Sequence, residues 1–282
     1  MKQSKSMFTF VFVRFFAALS MLNACQTKNG KTVGANGLTT DSTQMVKDSA
    51  AYFAANKPKR PKVVHDTSEK VIYLTMDDGP LRGSTVLNKI ILEKKIKTSV
   101  FIVSGHIKGF GKYFDDFRAN EFVEICNHSH THANNKYLQF YSNPQGAADD
   151  INQCDKIINT DNKAVRLPGR NIWALPAREH GVAQSGGKTA EILRQQGFKV
   201  FGWDAEWAHG GKSQAPVKSP EQFVALINSI FKQHTMWTKN HLVILGHDEM
   251  LTTEKGKREF PRIIDMLLAK GYVFEHITNY PD

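Results

Sequence analysis

The stretch YLTMDDGP, Tyr73 to Pro80, decides how the rest of the chain is read. An apolar, partly β-branched run ends there in two adjacent aspartates, and Gly79 and Pro80 follow at once. The run has the composition of a buried strand over residues 71–76, and Gly-Pro punctuation marks its end. Two carboxylates side by side repel each other unless a cation lies between or beside them. A solvated Asp-Gly turn is the plain alternative, and it suffices only if nothing nearby can share a metal.

Outward from that strand, short apolar runs alternate with amphipathic segments. Strands are expected at 71–76, 98–103, 122–126, 164–167, 198–203, 241–246 and 272–277. Helices are expected at 84–95, 113–119, 147–159, 188–196, 219–233 and 256–269. Strands separated by helices predict parallel pairing, because a parallel connection needs a crossover of that length. Five polar clusters fall at the C-terminal ends of these strands: Asp77 and Asp78, His128 to His132, Arg166 to Arg170, Asp204 to Trp207, and His247 with Asp248. In a βα barrel those ends converge on one face, so all five clusters are expected to share one pocket.

Within HSHTH, His128 and His132 are four residues apart and reach the same side of a helical turn. His128 and His130 share a face only if the segment stays extended, and His130 is otherwise a structural or pocket-lining residue. Two imidazoles and one carboxylate of the Asp77–Asp78 pair make a three-ligand site with positions left open for water and substrate. The other carboxylate then stays free as a base. His247, in VILGHDEM, ends an apolar strand where an imidazole can act as a general acid, and Arg166 in VRLPGRN calls for a carboxylate partner.

The chain has 282 residues, enough for one large domain or two small ones, and its net charge is +10. Residues 1–68 hold ten lysines and arginines against three aspartates, so +7 of that charge belongs to the leader and tether. The remainder is nearly neutral, which argues against a nucleic-acid partner. Residues 1–24 read as a lipoprotein-type signal peptide: Lys2 and Lys5, an apolar stretch interrupted by Arg14, then LNAC, which resembles a bacterial lipobox apart from Asn23. Lipidation of Cys25 would hold the protein to a membrane of the bacterial cell envelope, in the periplasm or at the outer membrane. Residues 25–68 are polar and read as a flexible tether, with a root-mean-square span of roughly 35 Å. Cys126 and Cys154 are either a disulfide or two buried thiols.

In order, TMDDGP, HSHTH, RLPGR, WDAEW and LGHD resemble the five motifs of the NodB-homology polysaccharide deacetylases, carbohydrate esterase family four, over residues 69–282. The resemblance implies a single catalytic domain with a distorted (β/α)7 barrel, an α/β fold. It implies that Asp77 is the general base, that Asp78, His128 and His132 hold a divalent metal, and that Arg166 orients Asp77. The metal is Zn2+ in first place, with Co2+ and Ni2+ also tolerated by such ligands. His247 would be the general acid, tuned by Asp204 or, in the compressed fourth motif, by Glu206. Leu245 would line the acetyl pocket, Trp203 or Trp207 would form an aromatic wall, and Gly169 would offer a backbone N–H to the oxyanion. Gly169 and Arg170 stand where the family usually has an aromatic residue after the proline. The implied activity is removal of N-acetyl groups from an extracytoplasmic polysaccharide such as peptidoglycan, a chitin-like polymer or poly-N-acetylglucosamine, by a monomer. An O-acetyl xylan or glycan esterase, or a non-catalytic glycan-binding lipoprotein, is the alternative on the same fold. The loop 171–187 is long enough to shape a substrate groove.

Overall fold

The computed structural model describes residues 62–282; the signal segment, Cys25 and the tether as far as residue 61 lie outside the described residues. Strand β1, Val71–Asp77, is buried along its whole length. After it come α1 (Ser84–Lys94), β2 (Thr98–Ile102), α2 (Ile107–Ala119), β3 (Val123–Asn127), α3 (Tyr137–Ser142) and α4 (Pro144–Ile158). Three short strands follow, β4 (Ala164–Val165), β5 (Trp173–Ala174) and β6 (Glu179–His180), then α5 (Gly187–Gln195), β7 (Lys199–Val200) and β8 (Ala205–Glu206). The chain finishes with α6 (Pro220–Gln233), β9 (His241–His247), α7 (Glu254–Leu268) and β10 (Val273–Phe274). Local signals account for the helix starts: Ser219 and Gln222 form a reciprocal capping box before α6, with Pro220 in the first turn.

The sheet runs β6-β5-β7-β4-β3-β2-β1-β9-β8, with β10 also against β1. Pairing is parallel except around the β5–β6 hairpin and between β5 and β7. β1 is the central strand: it pairs with β9 from Val71↔His241 to Asp77↔His247, and with β2 from Leu74↔Thr98 to Asp77↔Phe101. Each of the seven expected strands has a counterpart, but the one expected at 198–203 is divided. β7 pairs with β4, while β8, a few residues on, pairs with β9. One segment thereby touches both sides of the curled sheet and closes it into a distorted barrel.

Strand alternation sorts the core. Ile72, Leu74 and Met76 face outward into a cluster with Leu87, Ile91, Phe223 and Phe260 from the helices. Val71 and Tyr73 face inward, with Phe101, Trp173, Phe201, Val243 and Tyr280. Thr75 and Asp77 continue that inner row, as Leu245 and His247 continue the row from Val243. The inner aromatics fill the barrel: Trp173 lies 5.3 Å from Tyr280 and 4.5 Å from Trp237, ring centre to ring centre. The barrel is therefore a packed core with its functional groups at one rim.

Two further expectations are resolved. Cys126 and Cys154 are free, buried thiols. Residues 62–68, assigned to the tether, are tied to the C-terminal segment: Val63 N–H donates to Asn279 Oδ1 (3.1 Å), and His65 Nε2 lies 3.2 Å from Glu275 Oε2. The loop 171–187 contains the β5–β6 hairpin, which sends Trp173 into the barrel core.

The turn after β9 is pressed against the turn after β1. A Cβ on Gly83 would lie 1.7 Å from the carbonyl oxygen of Asp248, so only glycine allows this approach. Gly83→Ala is expected to lower stability by about 1–3 kcal/mol, as overpacking does, and chemical denaturation is the measurement. An unchanged midpoint would contradict the close contact.

Candidate active site

Asp77 and Asp78 are neighbours in sequence with different surroundings. Asp77 is buried on the inner face, and its Oδ1 accepts a hydrogen bond from Arg166 Nη1 (2.9 Å). Asp78 has φ of +74°, a left-handed conformation uncommon outside glycine, which breaks the strand alternation. Its Oδ1 lies 3.3 Å from His128 Nε2 and 3.1 Å from His132 Nε2. His106, which the sequence reading did not single out, holds this turn by donating from Nδ1 to the Asp78 carbonyl (2.9 Å).

The two histidines arrive by different routes. His128 follows β3 and is buried, and its Nδ1 donates to the Arg166 carbonyl (2.9 Å), which turns Nε2 toward Asp78. His132 sits in a run of left-handed residues, His132 to Asn135, that curls the chain back toward the rim. His132 N–H also donates to Ser129 Oγ (3.0 Å). His130 points elsewhere: its Nδ1 meets Ser104 Oγ (2.8 Å), and its N–H donates to Asp150 Oδ2. Donor atoms of Asp78, His128 and His132 all lie within 4.8 Å of one another. This donor set, two imidazole nitrogens and one carboxylate oxygen, fits a divalent metal with open positions.

The electrostatics agree with that fit. Burial alone would raise the Asp78 pKa, but hydrogen bonds and positive charge from His128 and His132 outweigh it and hold the carboxyl well below its usual range. Burial would lower the His132 pKa, and the Asp78 carboxylate overrides it upward.

Arg166 is fully buried. Besides Asp77, its Nη1 donates to Thr75 Oγ1 (2.7 Å), its Nη2 to the Gly202 carbonyl (2.8 Å) and its Nε to the Phe201 carbonyl (3.2 Å). Its guanidinium carbon lies 4.4 Å from the Phe101 ring centre and 5.8 Å from that of Trp203. His247 ends β9 in register with Asp77, with Leu245 buried two residues below it on the same face. Gly169, at φ of +64°, lies against Tyr137, whose ring stands edge-on to His132 at 5.8 Å.

Two expected roles are corrected. Asp204 does not reach His247: its Oδ1 accepts from Trp237 N–H and its Oδ2 from Val243 N–H, both at 2.8 Å. With the Asp204 N–H donating to the Val243 carbonyl, the residue seals the seam between the closing segment and β9. Trp207 is not a pocket wall. Beyond β8 it turns outward, is 2% exposed, and stacks on Phe260 at 5.4 Å in the outer core. Trp203 is the half-buried ring on the inner side, its backbone bracketed by the Asn171 amide.

Two polar groups at this rim escaped the sequence reading. His209 lies two residues beyond the WDAEW motif, and its ring centre is 5.3 Å from that of His247. Asp248, noted only as part of a cluster, is fully enclosed beside Ser84 Oγ, and burial pushes its pKa up to about 7. Both carry a signal, a polar residue just past an apolar strand, but neither lies at a spacing that names a role.

Comparisons with known proteins agree on one family. Residues 64–182 match the family model described as Polysaccharide deacetylase. A peptidoglycan-N-acetylglucosamine deacetylase of Bacillus cereus is 24% identical over 240 residues, covering 81% of this chain and 79% of its own. A chitin disaccharide deacetylase of Vibrio alginolyticus is 21% identical, covering 74% and 71%. Among solved structures, the catalytic domain of a peptidoglycan N-acetylglucosamine deacetylase from Eubacterium rectale superposes with a TM-score of 0.55 at 24% identity, over 79% of this chain and 95% of that one.

If Asp204 is a seam residue, Asp204→Ala is expected to cost about 2–4 kcal/mol, the loss of two bonds to a charged acceptor, with Asp204→Asn in between because the amide still accepts one N–H. Unfolding curves measure this. Wild-type stability together with a displaced pH profile of activity would return Asp204 to the role of tuning His247.

Proposed function

We propose that this chain, whose residues 64–182 match the Polysaccharide deacetylase family model, hydrolyses N-acetyl groups on a polymer containing N-acetylglucosamine, in a zinc-dependent reaction that releases acetate and leaves a free amino sugar. The observation that carries this reading is the split pair: Asp78 faces two imidazoles while Asp77, one residue away, is held by Arg166. The curated relatives are named as deacetylases of peptidoglycan N-acetylglucosamine and of a chitin disaccharide, which supports the reading.

Asp78, His128 and His132 would hold the metal, which supplies Lewis-acid polarisation of the acetamide carbonyl and acidifies water. Asp77 takes the proton of the attacking water. Arg166 and the buried strand beneath fix the carboxylate so that one oxygen is engaged and the other faces the rim. His247, on the adjacent strand, gives a proton to the departing nitrogen, and the Gly169 backbone faces the developing oxyanion. Leu245 and Trp203 exclude water around the acetyl methyl. The signal segment with LNAC supports export and lipid anchoring through Cys25 in the cell envelope, where such a polymer is met.

Acetate release from peptidoglycan, chitooligosaccharides and acetylxylan, after reconstitution with zinc, cobalt or nickel, tests the reading. Asp77→Asn is expected to lower kcat about 10²–10⁴-fold, the usual contribution of a general base, while keeping zinc affinity within a few-fold by calorimetry. His128→Ala and His132→Ala are expected to lose zinc. Zinc affinity falls as the pH drops: His132, raised by Asp78, accepts its competing proton at higher pH than a free imidazole does. No acetate from any N-acetylated glycan with any of the metals would end the reading in favour of glycan binding alone, and release from acetylxylan only would make the protein an esterase.

A further inference from the structure

With Asp204 committed to the barrel seam, neither carboxylate expected to tune His247, Asp204 or Glu206, hydrogen-bonds its Nδ1 among the described residues. Its Nδ1 is buried and has no hydrogen-bond partner among the described residues, and the same is true of His209 Nδ1. The two rings meet nearly perpendicular, 86° between planes and 5.3 Å between centres. That is an edge-to-face contact, the geometry favoured between aromatic rings.

His209 is firmly placed. Residues 208–217 form a small hairpin in which Val217 N–H donates to the Ala208 carbonyl and Gly210 N–H to the Ala215 carbonyl, both at 2.9 Å. His209 and Pro216 form the bridge between those bonds. A residue whose backbone is held by hydrogen bonds on both sides presents its ring from a rigid support.

We propose that His209 is a positioning residue for His247: an imidazole, presented by the 208–217 hairpin, whose edge-to-face contact fixes the acid's ring. The inference rests on the deacetylase reading for its effect on rate, but not for the contact itself. Two neighbouring imidazoles do not readily carry protons together. Burial and the charge of His247 lower the His209 pKa, against the opposing pull of Glu206, Glu249 and Asp78, which also face it. The nearest acidic residue in sequence to His247, Asp248, turns its Oδ2 to Ser84 instead.

The experiment compares His209→Ala, His209→Phe and His209→Asp in the zinc-reconstituted protein, with thermal melting as the control for folding. His209→Ala is expected to lower kcat about 10-fold with KM within twofold, and His209→Phe, which keeps an edge-to-face ring, to restore most of it. His209→Asp is expected to move the alkaline limb of the pH profile upward by about one unit, and NMR of the His247 ring should show its titration midpoint rising by the same amount. Parent-like kcat in His209→Ala, or an unmoved His247 midpoint in His209→Asp, would overturn the proposal. If the parent releases no acetate, the deacetylase reading fails, while the NMR comparison still decides whether His209 governs His247.

Discussion

A buried guanidinium organises this domain. Arg166 has no exposed surface, and its three nitrogens donate to Asp77, Thr75, Phe201 and Gly202. Those partners belong to β1 and to the segment between β7 and β8, so one charge links the central strand to the closing segment. A buried ion is costly unless paired and fully hydrogen-bonded, and removing one partner of such a pair typically costs about 3–5 kcal/mol. The pair therefore restricts how the barrel can close: any arrangement that separates Asp77 from Arg166 leaves both charges stranded in an apolar interior.

The same residue acts on the metal side through its backbone. Its carbonyl accepts the Nδ1 proton of His128, which fixes that ring with Nε2 toward Asp78. Side chain and carbonyl of one residue thus orient Asp77 and His128 together. This coupling makes the fold and the site hard to separate, and a structural change at β4 reaches both.

Much of this was legible in the sequence, for physical reasons that can be named. β1, β2, β3 and β9 are continuous apolar runs because they are covered on both faces, and such runs are conspicuous. Asp77, Asp78, His128, His132 and His247 stand out as polar residues at the ends of those runs. Legibility failed where strands shrink to two residues. Over 199–206 the chain changes partner from β4 to β9, so alternation is not sustained and the faces of Asp204 and Trp207 cannot be counted from either end. Trp207 turned out to be core and Asp204 a backbone clamp. His209 was missed because its importance comes from a hairpin fold, which places it beside a residue 38 positions later.

The adjacent aspartates show how little backbone change is needed to create two chemistries. Asp77 keeps strand geometry and so must face inward, where Arg166 waits; Asp78, at φ of +74°, leaves the strand and turns to the imidazoles. A non-glycine residue in that region costs about 1–3 kcal/mol. His106 helps to offset the cost by donating its Nδ1–H to the Asp78 carbonyl, and His128 and His132 offset more by closing on its carboxylate. The strain is thus held by the same groups that make the site, and a metal drawn into the donor set would relieve the repulsion between the two carboxylates as well. Strand geometry for both residues would instead send successive side chains to opposite faces, and the base and the ligand could not share one pocket.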